Sequence, residues 1–403
     1  LLDTHDYNEE QTRDYFIDML LHEAGWTLDK PQDREYEVSG MPNSQNLGFV
    51  DYVLWGEDGL PLAVVEAKRS RKDPRIGQQQ AKLYADCLEA EFKRRPVIYY
   101  TNGYEHWLWD DRSAPPRRVQ GFYKRTELEL LMQRRTSKRS IATETIDSNI
   151  AGRGYQHQAI RSVAEAMEQH NQRRSLIVMA TGSGKTRTAI ALVDLLSRCN
   201  WVKRVLFLAD RVSLVKQATK EFNKNLPNAG VVNLLDSPDG QGRVYVCTYP
   251  TMLNLINNDR NETKPFGVGH FDLVIVDEAH RSIYSKYGAI FNYFDSYLVG
   301  LTATPKDEID HNTYGMFQLQ RGVPTYAYAL DDAINDGYLV PPKAVSVELK
   351  FQRQGIKYSE LSEEEKERWD EMDWGEEGPP DQVDPAALNG WLFNQDTVDK
   401  VLE

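Results

Sequence analysis

The sequence predicts an α/β protein made of two successive units, the second built on a parallel sheet. Three observations predict this. At 403 residues the chain is too long for one ordinary domain and suits two or three. From Gly154 onward, short apolar runs alternate with amphipathic stretches, the pattern of strands buried on both faces and joined by helices. Before that point the apolar runs follow no such regular alternation, and a polar stretch separates the two regions.

In chain order, residues 9–24 read as a helix, with Phe16, Leu20 and Leu21 on one side and Gly25 as its stop. Strands are expected at 49–55 and 62–68, a helix at 76–92, and a continuously apolar strand at 96–101. Residues 1–135 form the first unit. Residues 136–150, polar and aperiodic (Thr136, Ser137, Ser140, Thr143, Thr145, Ser148), form a linker. The second unit, 151–342, has strands at 176–179, 204–208, 244–248, 273–276 and 297–301, with helices such as 186–197 and 213–222 between them. Residues 343–403 follow Pro341-Pro342 as an acidic connector expected to be mobile, with Gly375, Gly378, Pro379 and Pro380 in it. No internal repeat is visible.

Hydrophobic content of 40% and charged content of 27% are globular values. No apolar run approaches the ~18 residues of a membrane span, and residues 1–10 are too polar for a secretion signal. Cys87, Cys199 and Cys247 lie far apart without metal-ligand spacing, which suits buried reduced thiols in the cytosol. The net charge of −13 is concentrated: residues 360–384 hold twelve acids and two bases, and account for −10 of it. Basic clusters persist in the nearly balanced remainder. Arg69 and Arg71, which directly follow Lys68, are the best candidates among them for contact with a phosphate backbone.

The first constellation is Asp51, Glu66 and Lys68. Asp58-Gly59 favours a two-residue hairpin turn with positive φ at both positions. Facing pairs then sum to 117, so Asp51 faces Glu66, and strand alternation puts Lys68 on the same side as Glu66. Two carboxylates suit Mg²⁺, a hard cation preferring oxygen ligands. A metal there polarises a phosphate and lowers the pKa of a bound water, while a neighbouring lysine orients or deprotonates that water. Gln80 and Tyr84, one helical turn apart, point the same way. Glu9 shares a stripe with Phe16 and Leu20, as a second contact or as an ordinary first-turn acid.

The second constellation begins with an apolar strand followed by Thr181-Gly182-Ser183-Gly184-Lys185-Thr186 and an amphipathic helix, the context of a phosphate loop. Its glycines let backbone N–H groups curl around phosphates, Lys185 reaches the β/γ-phosphates of ATP, and Thr186 offers its hydroxyl to Mg²⁺. A later strand ends in Asp277-Glu278-Ala279-His280. On the resemblance of this run to helicase motors, Asp277 would complete the Mg²⁺ shell through water, Glu278 would polarise the attacking water, and His280 would couple the nucleotide site to its neighbours.

The first set resembles the PD-(D/E)xK nucleases, with Val50 where the motif name has proline, and Gln80-x-x-x-Tyr84 resembles the nuclease domain of type I restriction enzyme motor subunits. The second resembles the first RecA-like domain of superfamily 2 helicases, whose loops also depart from the strict glycine at the position of Met179. On that resemblance Arg153 and Gln156 stand where the adenine is read. Ala209-Asp210-Arg211, Thr248 and Thr302-Ala303-Thr304 resemble motifs that touch nucleic acid or link it to ATP. Arg211 and Thr248 are thus phosphate-contact candidates, or strand-end residues with local hydrogen bonds.

Asp277-Glu278-Ala279-His280-Arg281-Ser282, Gly300-Leu301-Thr302-Ala303-Thr304-Pro305 and Asp336-Gly337-Tyr338-Leu339-Val340-Pro341 are similar to the type I restriction motor subunit. That resemblance covers nearly the whole chain. It implies an ATP- and Mg²⁺-dependent translocase and endonuclease of double-stranded DNA, partnered by methyltransferase and specificity subunits in the cytoplasm of a bacterium or archaeon. Nothing after Leu339 reads as a second motor sheet, so the expectation is an N-terminal fragment that binds ATP and hydrolyses it weakly. Two other classes remain open: a superfamily 2 remodeller or repair helicase whose front domain binds DNA without cutting, and a nucleotide-gated assembly module.

Overall fold

A computed structural model describes residues 6–257, 265–279, 281–304, 311–341, 356–371 and 380–383. His280 and Pro305 lie outside the described residues, as do the side chains of Arg281 and Ser282. The chain forms two compact units, 1–339 and 340–403. Both expected α/β regions lie in the first.

The first helix runs as α1 (Glu9–Thr12), a π-helical turn (Arg13–Ile17) and α2 (Asp18–Glu23). Asn8 starts it by accepting the Gln11 N–H at 2.8 Å, and Gln11 returns a bond to Asn8 N–H. Gly25, at φ +84°, ends it with a left-handed turn.

The first sheet has the order β1 (Arg34–Ser39), β2 (Leu47–Trp55), β3 (Pro61–Ala67), β4 (Val97–Thr101), β5 (His106–Trp109) and β6 (Arg117–Val119). All its pairs are antiparallel except β3–β4. Alternation splits the strands between two cores. Val53 and Val64 pack with Tyr84 and Leu88 of α3 (Gln78–Phe92), whereas Tyr52, Leu54 and Val65 pack with Ile17, Leu21 and with Leu128 of α4 (Arg125–Ser137). β1, β5 and β6 were absent from the sequence expectation. They are short or carry charges in alternation, so no apolar run marks them.

Residues 136–150, expected as a polar linker, are helical only to Ser137. Beyond it Ile141, Ile146 and Ile150 are buried in the core of the second region. Their spacing fits neither a helix nor a strand, so periodicity does not reveal them.

The second sheet is wholly parallel. Its order is β13 (Tyr326–Tyr328), β7 (Arg174–Met179), β12 (Tyr297–Thr302), β11 (Leu273–Asp277), β8 (Val205–Ala209), β10 (Val244–Thr248) and β9 (Val231–Asn233). One face is covered by α5 (Gly154–Glu168), α6 (Lys185–Arg198) and α7 (Val212–Asn225). The other carries α8 (Tyr249–Ile256), α9 (Arg281–Tyr293) and α10 (His311–Met316). α11 (Leu330–Asn335) follows β13. The five strands expected from sequence are present. The short edge strands β9 and β13 were not anticipated.

The two sheets meet at buried polar contacts. Asp295 accepts hydrogen bonds from Arg117 Nε (2.8 Å to each oxygen), Arg173 Nη2 (2.8 Å) and the Tyr123 hydroxyl (2.7 Å). Burial alone would raise its pKa, but Arg117 and then Arg173 hold its carboxyl far below the usual range. Arg134 pairs with Asp272, and Glu127 accepts the Gly269 N–H at 3.2 Å.

The second unit contains β14 (Ile356–Lys357) paired antiparallel with β15 (Gln382–Val383), and α12 (Glu363–Glu371). Within the acidic stretch expected as mobile, the described residues hold local structure: Trp369 is buried and donates its Nε1–H to Pro380 O at 3.2 Å, while Gly375, Gly378 and Pro379 lie outside the described residues. No helix among the described residues is long and apolar enough to cross a membrane.

Candidate active sites

Asp51 and Glu66 come into register by a different route from the one expected. Only Gly59 takes positive φ (+74°); Asp58 does not. Gly59 N–H bonds Gly56 O at 3.1 Å and Gly56 N–H bonds Leu60 O at 2.9 Å, which makes a three-residue turn ending in a left-handed glycine. That turn alone would set facing pairs to sum to 116, as Trp55 and Pro61 do. A bulge at Leu62 inserts one residue, and Leu54↔Ala63, Val53↔Val64 and Tyr52↔Val65 then sum to 117. Asp51 follows next on β2 and Glu66 next on β3.

The side chains converge on the face covered by α3. Asp51 Oδ2 accepts the Ala67 N–H at 2.7 Å. Glu66, 2% exposed, meets Lys68 Nζ at 2.5 Å through Oε1, while its buried Oε2 has no partner among the described residues. Burial first, and then Asp51, pushes the Glu66 carboxyl up to about 8, with Lys68 offsetting part of the effect. Burial opposes charge on Lys68 as well, but Glu66 outweighs it and the ammonium is held above its ordinary value. Lys68 Nζ also lies 3.4 Å from Gln80 Oε1, and Gln80 Nε2 donates to the Tyr84 hydroxyl at 2.8 Å. Glu9 stands 3.8 Å from Lys68 Nζ. Gly77 lets α3 start this close: a Cβ there would meet Glu66 Cγ at 3.0 Å and Lys68 Cε at 3.1 Å.

Sequence reasoning missed Arg13. It leaves the π-helical turn one turn beyond Glu9 and places Nη1 2.5 Å from Asp51 Oδ1 and Nη2 3.0 Å from Glu35. A π turn frequently marks a functional position, but Arg13 is 38 residues from Asp51, and no local spacing relates them. Among the described residues no group of three or more His, Cys, Asp or Glu is arranged to hold a metal. Two carboxylates with one orphaned buried oxygen still fit Mg²⁺, which keeps most of its waters and needs only one or two protein carboxylates.

The second site lies at the carboxyl ends of β7, β12 and β11, the crevice where open parallel sheets bind ligands. After Met179 the chain turns through Thr181, Gly182 (φ +81°), Ser183 and Gly184 (φ +90°) into α6, which begins at Lys185 and Thr186. Ser183 Oγ, fully buried, donates to Ala180 O at 2.6 Å and fixes the loop. Tyr155, also missed from sequence, donates to Ser183 O at 2.7 Å. Gln156 has both ends of its amide engaged: Oε1 accepts the Arg153 N–H (3.2 Å), and Nε2 faces Ser183 O (3.3 Å) and Gly184 O (3.5 Å). Its position is therefore that of a brace between the start of α5 and the loop. Arg153 donates to the Tyr155 hydroxyl at 2.7 Å and lies over the exposed Tyr338 ring.

Asp277 ends β11, and Glu278 follows at φ +54°, a left-handed conformation that non-glycine residues rarely adopt. Lys185 Nζ lies 3.8 Å from Glu278 Oε1. Burial, then Glu278, raises the Asp277 carboxyl to about 6 against the pull of Lys185. Tyr249 donates to the Asp277 carbonyl at 2.7 Å.

The expected DNA contacts are less concentrated. Thr248 caps α8 and its hydroxyl bonds that of Thr251 at 2.9 Å, the local role weighed against phosphate contact. Arg211 is exposed beside Asp210. Arg69 pairs with Asp6 through two bonds of 2.8 and 2.6 Å, and Arg71 is exposed.

Residues 34–117 match the family described as the type I restriction enzyme R protein N terminus, and residues 149–307 match the type III restriction enzyme res subunit family. A type I restriction enzyme EcoAI endonuclease subunit from Escherichia coli is 32% identical over 76% of this chain and 38% of its own length. The EcoKI endonuclease subunit of Escherichia coli strain K12 is 28% identical over 83% of this chain and 35% of its own length. A fragment structure from Vibrio vulnificus, described as that of an HsdR subunit of a type I restriction enzyme, aligns with 83% of this chain and 62% of its own at 26% identity and a TM-score of 0.38. The chain spans little more than a third of the length of these curated relatives. Both family matches fall on the two sites in the expected order, and over most of its length the chain is similar to the R (endonuclease) subunits of type I restriction enzymes.

Proposed function

We propose that this chain supplies the DNA-cutting centre and the first motor domain of an ATP-dependent type I restriction endonuclease, acting on double-stranded DNA beside methyltransferase and specificity subunits in the cytoplasm. The observation that carries the reading is one compact unit holding both sites: Asp51, Glu66 and Lys68 on one sheet, and the Lys185 loop with Asp277 and Glu278 on the next. On this reading residues 1–135 are the endonuclease domain, 151–342 the motor domain, and 343–403 a connector.

Glu66 and Asp51 would hold Mg²⁺, which supplies a polarised phosphate and a more acidic water. Glu66 must give up its proton to serve as a ligand. Lys68, 2.5 Å away, keeps the resulting carboxylate compensated and stands beside any phosphate brought to the site. Gln80 holds the lysine laterally, with Tyr84 behind it. At the other site the Lys185 loop cradles ATP phosphates, Thr186 and Asp277 serve Mg²⁺, and Glu278 orients water. Gln156, with Arg153, fixes the loop from the side where adenine would be read.

Plasmid nicking tests the assignment. Mg²⁺-dependent nicking should be lost in Glu66→Ala and Lys68→Ala while Lys185→Ala still nicks in the absence of ATP. Nicking that persists in both nuclease variants overturns it and leaves a DNA-binding front domain joined to an ATP-dependent motor.

A further inference from the structure

Between the two sheets, away from both sites, lies a small cavity of about 80 Å³. That is room for one small polyatomic ion with a few waters, since a water needs only ~10–15 Å³ measured in the same way. Its wall is unusually cationic. Arg117, Arg134 and Arg135 reach it from the first region, Lys138 from the segment just after α4, and Arg173 from the second region, against Asp110, Asp272 and Asp295.

The three carboxylates are already answered by the protein. Asp295 binds Arg117, Arg173 and Tyr123. Asp272 pairs with Arg134 and also accepts the backbone N–H groups of Lys203 (2.7 Å) and Arg204 (3.0 Å). Asp110 lies 2.7 Å from Arg135 Nη2. Five cations against three anions leave the wall with a formal charge of +2. Two details locate the surplus. The buried Nη1 of Arg117 has no acceptor among the described residues. Lys138 has no carboxylate within ion-pair distance among the described residues, and its ammonium rests on the Trp201 ring, 4.4 Å from the centroid.

We propose that this cavity is a binding site for one tetrahedral oxyanion of the phosphate class, with Lys138 as its principal cation and the surrounding arginines as its field. A doubly charged oxyanion matches the surplus charge, and phosphate oxygens suit clustered guanidinium and ammonium donors. Because the wall is drawn from both regions, the bound anion would fasten one sheet to the other. The proposal does not depend on the nuclease or ATPase assignments. The shared chemistry has two sources, free inorganic phosphate or a backbone phosphate of DNA.

The test uses the whole chain carrying Lys185→Ala, which removes anion binding at the phosphate loop. Thermal unfolding is followed against sulfate and phosphate at constant ionic strength set with chloride. The expected result is a saturable rise in Tm that Lys138→Ala shifts to about tenfold higher anion concentration, that Lys138→Arg retains, and that leaves Tm without added oxyanion unchanged in both variants. No rise beyond the chloride control, or the same rise in Lys138→Ala, overturns the proposal. Fluorescence anisotropy with a labelled duplex separates the sources. If DNA supplies the phosphate, Lys138→Ala weakens duplex binding and inorganic phosphate competes. If free phosphate is the ligand, Lys138→Ala leaves duplex binding unchanged while the Tm response moves to higher anion concentration.

Discussion

Arg13 lies against Asp51, with 2.5 Å between Nη1 and Oδ1, on the carboxylate that the proposed metal requires. The guanidinium therefore stands as a built-in competitor of the divalent cation. Arg13→Gln is expected to tighten Mn²⁺ or Mg²⁺ binding by about three- to tenfold, the scale of a partly buried ion pair. Isothermal titration with Mn²⁺ on the uncleaving Lys68→Ala background reads this directly. An unchanged or weaker affinity would assign Arg13 to holding the fold alone.

Glu66 gives the metal site a pH signature. Burial, then Asp51, raises its pKa to about 8, so at pH 7 most molecules carry a proton there that a metal must displace. Titrations in buffers of different ionisation enthalpy should show close to one proton released per metal near pH 7 and almost none above pH 9, with the release abolished in Glu66→Gln. Stability follows the same logic. Between the ordinary carboxylate range and about pH 8 the folded chain holds a proton that the unfolded chain has lost, so stability falls as pH rises through that window and levels off above it. Glu66→Gln should flatten that slope.

At the phosphate loop, Lys185→Ala should weaken binding of a fluorescent ATP analogue by more than about tenfold, because the ammonium is the loop's cation for the β/γ-phosphates. Far-UV circular dichroism should be unaltered, since the one ion pair of Lys185 among the described residues is a 3.8 Å contact with Glu278. Equal affinity in the variant would remove the nucleotide assignment.

Removing Asp295 leaves Arg117 and Arg173 without their shared carboxylate in a buried place. Asp295→Ala is expected to destabilise the chain by about 3–5 kcal/mol. Differential scanning calorimetry should register a markedly lower Tm, and limited proteolysis should newly cut within 136–150 as the sheets loosen. A Tm within a degree of the parent would contradict the role given to this junction.

Much of the second sheet and its site was legible because its signals are contiguous: an apolar strand, a glycine-bearing loop and a helix start occupy neighbouring positions, and sequence order is then spatial order. The first site was legible for a partly mistaken reason. The hairpin was expected to turn on two residues; it turns on three, and the bulge at Leu62 restores the sum of 117. The charges at 51 and 66 meet because the bulge adds the one residue by which the three-residue turn falls short. Arg13 stayed hidden because its partner comes from a strand 38 residues away, and the burial of Ile141, Ile146 and Ile150 because it follows no period. Trp369 shows the converse: among the described residues of the acidic stretch, one large apolar ring is buried where charge alone argues for disorder.

β12 begins two residues after Asp295 and ends at Thr302, between the strands carrying the phosphate loop and Asp277. Six residues of extended chain make a rod of roughly 20 Å, hydrogen-bonded to a neighbour on either side. Such a rod does not compress. It spans from the crevice that holds the Lys185 loop to the arginine-clasped Asp295, where the two sheets are joined.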